Sequence, residues 1–360
     1  MKILFISLGC DKNLVDSEVM IGLLSKKGYS FTDDEQEAEA VMVNTCCFIR
    51  DAKEESINTI LEMAELKKAG QVRALLVTGC LAQRYFEEIQ KEIPEVDAVV
   101  GTTAIDAIVD ALEDVLSGKA SNHVESIHRP VFGKGERVVT TGGHYAYLKI
   151  AEGCSKHCTY CIIPKVRGDY RSVPMEELCR EAGELAEGGV KELILVAQET
   201  TLYGVDLYGE KKLPELLTKL CRIEGLCWIR ILYCYPEEIT DELIEVIKRE
   251  RKICHYLDIP IQSGSDRILK LMGRKTSRQQ ICERIQKIRE QIPDICIRTT
   301  LISGFPGETQ EDHEDTMSMV DEMEFDRLGV FPYSPEEDTP AAEMPDQLSE
   351  EIKQRRRDEI

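Results

Sequence analysis

The 360-residue chain reads as an α/β protein in two parts, an N-terminal doubly wound parallel sheet followed by a six-unit partial (β/α) barrel. Three observations predict this. A chain of that length exceeds what one hydrophobic core usually serves. Short β-branched runs alternate with amphipathic stretches of helical period along most of it. The alternation breaks between 117 and 143, where Gly118, Ser121, Asn122, Pro130, Gly133, Gly135, Gly142 and Gly143 fall without helical period. The expected division is 1–118, a connection at 119–143, and 144–360.

In the first part, 3–7, 40–44, 73–78 and 98–100 read as strands. They are continuous apolar runs, as expected for a parallel sheet covered on both faces. Helices are expected between them at 14–27, 51–68, 82–92 and 103–116, joined by right-handed crossovers. The opening run Ile3 to Leu8 ahead of Cys10 superficially resembles a signal peptide ending at a lipidated cysteine. It is too short for a signal core and reads as the first buried strand. In the second part, strands are expected at 145–151, 192–197, 228–233, 256–261, 295–302 and 328–333. Helices are expected at 175–187, 213–223, 240–249, 277–291 and 310–323. Chemistry in such a barrel sits at the mouth formed by the strand C-termini.

Composition narrows the function. Hydrophobic residues make up 42% and charged residues 31%, ordinary for a globular chain, and no stretch approaches the ~20 apolar residues of a membrane span. Acidic residues outnumber basic ones by 66 to 45, a net charge of −21. That surface repels polyphosphate, so direct nucleic-acid binding by this chain is not expected. Fourteen cysteines are too many to ignore, in a chain too long to be a disulfide scaffold. A reducing cytoplasm is expected, where thiols bind metals or do chemistry.

Six of the cysteines are placed to bind metal. Cys154, Cys158 and Cys161 form a CxxxCxxC directly after an expected strand. Thiolates so spaced can hold three irons of a cubane cluster and leave the fourth open to a small molecule. Cys10, Cys46 and Cys80 each follow one of three successive strands, at separations of 36 and 34 residues (10 to 46, 46 to 80). In a parallel sheet those strand ends share one edge, so topology gathers residues distant in sequence. Gly9 and Gly79 permit the tight turns this requires. A second iron–sulfur cluster is the expected occupant, with zinc on three cysteines as the competing one. The remaining eight, Cys47 among them and pointing away from the site, read as core packing. Polar turns after later strands are expected to line the mouth: Gln198-Glu199-Thr200, Gln262-Ser263-Gly264-Ser265, Arg298, and the run 303–308.

Together these residues resemble the radical S-adenosylmethionine superfamily and, within it, the methylthiotransferases. The resemblance covers nearly the whole chain. It rests on both cysteine trios, on Ile259-Pro260-Ile261-Gln262-Ser263-Gly264, and on the run from Thr299 to Glu308. The opening Gly9-Cys10-Asp11-Lys12-Asn13 looks like the branch that modifies an aspartate of the twelfth small-subunit ribosomal protein (RimO-type). The branch acting on tRNA carries Gln-Met-Asn after this glycine and cysteine. Members of the family usually end in a small substrate-binding β-barrel. Here Arg355 to Ile360 resembles the helix leading into it, and the barrel itself is expected to be absent.

The resemblance implies two [4Fe-4S] clusters and S-adenosylmethionine as cofactors. The trio Cys154, Cys158 and Cys161 would bind the cluster at which S-adenosylmethionine is cleaved to a nucleoside radical. The trio Cys10, Cys46 and Cys80 would bind an auxiliary cluster carrying the sulfur to be methylated and transferred. Gln262, Ser263 and Arg298 become candidates for contacting S-adenosylmethionine, and Tyr160 either packs near its adenine or simply packs its loop. The chemistry suits the target, because a carbanion beside the aspartate carboxylate is disfavoured and homolytic abstraction avoids the charge. Expected partners are a small-subunit ribosomal protein and an electron donor such as flavodoxin or ferredoxin. A tRNA adenosine methylthiotransferase and a non-catalytic two-cluster electron-transfer protein remain the alternatives.

Overall fold

The computed structural model describes residues 1–119, 121–129 and 137–360. The chain forms two compact units: Met1–Gly142 with Ile163–Asp169, and Gly143–Ile162 with Tyr170–Ile360. Pro130, Gly133 and Gly135, which marked the expected connection, lie outside the described residues.

The first unit is built on β1 (Lys2–Ser7), β2 (Ser30–Thr32), β3 (Ala40–Thr45), β4 (Ala74–Gly79), β5 (Ala98–Val100) and β6 (Ser121–His123). All pair in parallel, in the order β2-β1-β3-β4-β5-β6. Its helices are α1 (Asp11–Lys26), α2 (Arg50–Lys68), α3 (Cys80–Arg84), α4 (Phe86–Glu92), α5 (Ile108–Leu116) and α6 (Ile163–Arg167). β3 and β4 are buried at every position. Ile3, Met42, Leu76 and Val100 meet Met20, Leu24, Ile108 and Leu112 in a continuous core. The strand order reverses between β1 and β3, so the chain leaves those two strands in opposite directions and opens a crevice at their C-terminal ends.

The sequence missed two strands. β2 and β6 are three residues long and partly exposed, and β6 lies inside the stretch expected to be a connection. Neither carries an apolar run; each forms because an existing sheet edge offers unpaired backbone groups. The helix expected at 82–92 is broken at Tyr85 (φ −123°, ψ 36°) into α3 and α4. α1 begins three residues earlier than expected, because Lys12 and Asn13 are buried polar groups with no apolar pattern.

The second unit holds β7 (Tyr145–Lys149), β8 (Ala151–Glu152), β9 (Arg171–Ser172), β10 (Glu192–Val196), β11 (Trp228–Ile231), β12 (Ile253–Asp258), β13 (Cys296–Ser303) and β14 (Arg327–Pro332). Six of them form one all-parallel sheet in the order β7-β10-β11-β12-β13-β14. Sequential order with every strand parallel is the signature of repeated β/α units curving one way, the partial barrel expected. Its helices are α7 (Met175–Glu187), α8 (Val205–Tyr208), α9 (Leu213–Cys221), α10 (Asp241–Arg249), α11 (Asp266–Leu271), α12 (Arg278–Gln291), α13 (Gln310–Met323) and α14 (Glu350–Glu359). Helix starts are clear where Ser277 and Thr309 form capping boxes. β8 and β9 pair antiparallel and pinch the base of the cysteine loop, Glu152 opposite Arg171. No helix among the described residues is long and apolar enough to cross a membrane.

Gly79 shows how closely the first unit is packed around its strand ends. Its φ is +94°, and a Cβ there would run into Asn44 Oδ1 and come within 2.5 Å of the Thr45 carbonyl oxygen. Gly28 has a similar φ of +89° with nothing near. Gly28→Ala is expected to cost about 1–2 kcal/mol and Gly79→Ala about 3 kcal/mol or more. Chemical denaturation measures both, and equal losses would contradict the packing argument.

Candidate metal centres

In the first unit, the trio sits at the reversal of strand order. Cys10 is the N-cap of α1, with no side-chain capping bond, so its thiol remains available. Cys46 follows β3, and Cys80 opens α3 directly after β4. Cys10 is exposed, whereas Cys46 and Cys80 are buried; none is in a disulfide. Gly9 (φ +91°) lets the β1–α1 turn lie on Cys46: a Cβ there would be 2.8 Å from Cys46 Cβ and 3.1 Å from its Sγ.

A polar network fixes these turns. The Asn13 amide donates to the carbonyl oxygens of Leu8 (3.0 Å) and Thr45 (2.9 Å), tying the ends of β1 and β3 together. Asn44 returns a bond to Asn13 O (2.9 Å), and Ser56 Oγ both accepts from Cys46 N (3.0 Å) and donates to Cys46 O (2.9 Å). Burial pushes the thiols of Cys46 and Cys80 up, Cys80 far above the ordinary range, while the Arg167 charge pulls both down. Cys47 was expected to point away and serve packing. It is buried, but close enough to Cys80 for mutual repulsion to add to that rise.

In the second unit, Cys154, Cys158 and Cys161 lie in the loop between β8 and β9. Cys154 and Cys158 are buried and Cys161 partly so. The loop is anchored through Thr159, whose N–H donates to Met272 O (3.0 Å), whose hydroxyl donates to Leu271 O (2.8 Å) and whose carbonyl accepts from Ala341 N (2.9 Å). Tyr160 packs on Ile268, Met272, Phe305, Tyr333 and Ala341. Its hydroxyl lies by Cys158, and burial drives it well above the ordinary phenol range.

The sequence overlooked the groups around Cys158. Tyr235, beyond the end of β11, places its hydroxyl 3.5 Å from Cys158 Sγ. Two cations lie over its ring, Arg274 at 3.9 Å and Lys156 at 4.9 Å from the centroid. Arg274 is buried, bonds Pro260 O (3.0 Å), and leaves Nε and Nη1 without a hydrogen-bond partner. The backbone gave one signal that sequence cannot: His157, Tyr233 and Gln262 are non-glycine residues at φ of 52°, 60° and 73°. Each follows the end of a strand, and such strain collects at binding sites.

The other mouth candidates divide. Gln262 is held against β13, beyond the end of β12, by backbone bonds to Thr300 O and from Ile302 N, both 2.9 Å. Ser263 is fully buried, its hydroxyl accepting from Ser265 N (3.2 Å) and lying 3.4 Å from Thr316 Oγ1, so it shapes the turn. Arg298 pairs with Asp258 Oδ1 at 2.8 Å and donates to Thr300 Oγ1 at 3.0 Å. The turn 303–308 is taken up by α14: Gly304 lies on Lys353, and Arg356 bonds Glu308 Oε1 at 2.7 Å. Of its two glycines, Gly304 is the one against which the helix lies; Gly307 faces Arg267 and Leu271. Glu199 is fully buried, with Oε1 accepting from Thr201 N (2.9 Å) while Oε2 and the neighbouring Gln198 Oε1 have no partner.

Among the described residues, no three His, Cys, Asp or Glu side chains converge as ligands of a single ion do. A cubane asks for something different, one iron per thiolate. Thiol-only donor sets, unpaired in disulfides and next to buried guanidinium groups, fit an anionic cluster. Glu199 Oε2 and Gln198 Oε1 are orphaned acceptors and Arg274 Nε and Nη1 orphaned donors, and buried polar atoms of that kind fit polar ligand groups.

Residues 2–101 match the model of an uncharacterized protein family, UPF0004, and residues 148–320 match the radical SAM superfamily. The chain is 65% identical over 360 residues to the ribosomal protein uS12 methylthiotransferase RimO of Lachnoclostridium phytofermentans, covering all of this chain and 82% of that one. The chain belongs to the ribosomal protein uS12 methylthiotransferase family. The relative of the same name in Clostridioides difficile is 53% identical, over 100% of this chain and 81% of its own length. Among solved structures, the radical S-adenosylmethionine methyltransferase TsrM of Kitasatospora setae superposes with a TM-score of 0.66 at 14% identity, over 94% of this chain and 76% of that one. The cobalamin-dependent radical enzyme OxsB gives 0.60 at 12%, over 95% and 54%. Likeness at such identity is one of fold.

Burial holds the Glu199 carboxyl up to about 7, against hydrogen bonds from Thr201 and the Lys156 charge that lower it. The folded chain therefore binds this proton more tightly than the unfolded one, and stability falls as pH rises from 4.5 to about 7. Glu199→Gln is expected to change stability little at pH 5 and to raise it at pH 8 by about 2–3 kcal/mol. Urea unfolding of iron-free protein reads this, and equal effects at both pH values would contradict it.

Proposed function

We propose that this chain is a radical S-adenosylmethionine methylthiotransferase that adds a methylthio group to the β-carbon of an aspartate in ribosomal protein uS12. The carrying observation is that two cysteine trios, each at strand C-terminal ends, occur in a chain 65% identical along its full length to an enzyme of that name. The relatives' names favour a protein substrate over tRNA and turnover over simple electron transfer.

Residues 1–118 form the auxiliary-cluster domain in this reading, 119–143 the connection, and 144–360 the radical barrel. Cys10, Cys46 and Cys80 hold one [4Fe-4S] cluster, and Cys154, Cys158 and Cys161 hold the other. When bound, these groups and S-adenosylmethionine supply one-electron chemistry, the transferable sulfur and its methyl group.

The chain's own residues bind and orient. Glu199 and Gln198 accept hydrogen bonds from the amino group of S-adenosylmethionine, and Arg274 is the cation suited to its carboxylate. Arg298, within β13 and held by Asp258, and Gln262, held in a left-handed conformation beyond the end of β12, present polar groups for the rest of the molecule. Ser263 sets the shape of that turn. Tyr160 and Tyr235 wall off Cys158 from water with their hydroxyls beside its sulfur. A reductant of the flavodoxin or ferredoxin class supplies electrons in the cytoplasm.

Cys158→Ala is expected to abolish reductive cleavage of S-adenosylmethionine, and Cys46→Ala to spare cleavage while stopping methylthio transfer to uS12. Iron should fall from about eight per chain to about four in each. Deoxyadenosine assays, peptide mass spectrometry and iron analysis read the three outcomes. Methylthio transfer by the Cys46 variant would refute the division of labour.

A further inference from the structure

Arg167 is the largest fully buried side chain among the described residues, and neither the expected ligands nor the mouth candidates account for it. It lies six residues beyond Cys161 in sequence, at the end of α6, and its side chain is 1% exposed. Nε donates to Cys80 Sγ at 3.3 Å. Nη1 and Nη2 both donate to Asp16 Oδ2 at 3.1 Å, and Nη2 also donates to Asn13 Oδ1. Asp16 is itself buried, so the guanidinium is aimed by a carboxylate on one side and presents its Nε to sulfur on the other.

Such a donor has a specific effect on a thiolate bound to iron. A hydrogen bond and a fixed positive charge withdraw electron density from the sulfur, and they stabilise the more negative, reduced cluster over the oxidised one. A guanidinium cannot lose its proton here, so the effect is permanent. Asp16 opposes it by partly neutralising the charge.

We propose that Arg167 is a positioning residue for the auxiliary cluster, raising its reduction potential through the hydrogen bond to Cys80, with Asp16 setting how much of the charge the cluster feels. This rests on Cys10, Cys46 and Cys80 holding a cluster. The two substitutions therefore act in opposite directions. Arg167→Met removes the donor and lowers the potential; Asp16→Asn leaves the guanidinium uncompensated and raises it.

The test uses the full chain with Cys154, Cys158 and Cys161 replaced by Ala, so that only the auxiliary cluster is present, reconstituted with iron and sulfide and titrated under electron paramagnetic resonance. At a fixed poise, the reduced-to-oxidised ratio is expected to fall about tenfold in Arg167→Met, a shift of about 59 mV for one electron, and to rise in Asp16→Asn. Arg167→Lys, which keeps charge without the fork, should fall between Met and the parent. A cluster present in all variants with an unmoved potential overturns the proposal alone, as do shifts of the same sign for both substitutions. Loss of the cluster from both variants overturns it too, assigning Arg167 and Asp16 to folding. Absence of any cluster from the parent chain overturns the ligand assignment, and the proposal with it.

Discussion

In both units the chemistry depends on a constraint that belongs to parallel sheets. When every strand runs the same way, every strand C-terminus opens onto one edge, and whatever follows those strands is collected there. The first unit uses this to bring Cys10, Cys46 and Cys80 together from three separate β/α repeats. The second uses it to set Glu199, after β10, and Tyr235, after β11, beside the loop that carries Cys154, Cys158 and Cys161. The sheet itself does nothing chemical. Its buried, continuous apolar strands make the edge rigid, and the rigidity is what short polar turns need to hold a fixed geometry.

Burying thiols beside one another is unfavourable in the absence of metal, because a thiolate loses its hydration and repels its neighbours. The direction of the shifts at Cys46, Cys80 and Cys154, all upward from burial, expresses that cost, with Cys154 reaching about 11. Metal binding reverses it, since coordination removes the proton and delocalises the charge. In each unit a buried arginine lies beside a thiol, Arg167 by Cys80 and Arg274 by Cys158, and the two are engaged differently. Arg167 touches sulfur and is held by a carboxylate. Arg274 stacks on Tyr235 and keeps two donors unused. In a chain of net charge −21 these interior cations stand against the general field.

Much of the fold was legible because apolar periodicity tracks burial. α7 and α13 begin and end where their patterns do, and the six strands of the second sheet fall within a few residues of the apolar runs that announce them. The losses share a cause. β2 and β6 are stabilised by an edge they join and not by side chains of their own, so no pattern marks them. The break at Tyr85 depends on how α3 and α4 pack. At the site, the two cysteine trios were readable because they are written in residue type and spacing. Tyr235 and Arg274 were not, since neither a tyrosine after a strand nor an arginine near a glycine is distinctive until the chain closes around it.

The sequence by itself determined the two parallel sheets, the six thiols and the family, because each is carried by residue type at short or regularly repeated spacing. Tertiary structure decided what surrounds those thiols. That Glu199 would be a buried carboxyl, that Gly304 would receive a helix, and that Arg167 would place its guanidinium on Cys80 and Asn13 all follow from contacts between segments 49 to 154 residues apart or from burial. Such contacts depend on how whole elements pack, and no local pattern in the chain encodes the distance between two side chains that only the finished core brings together.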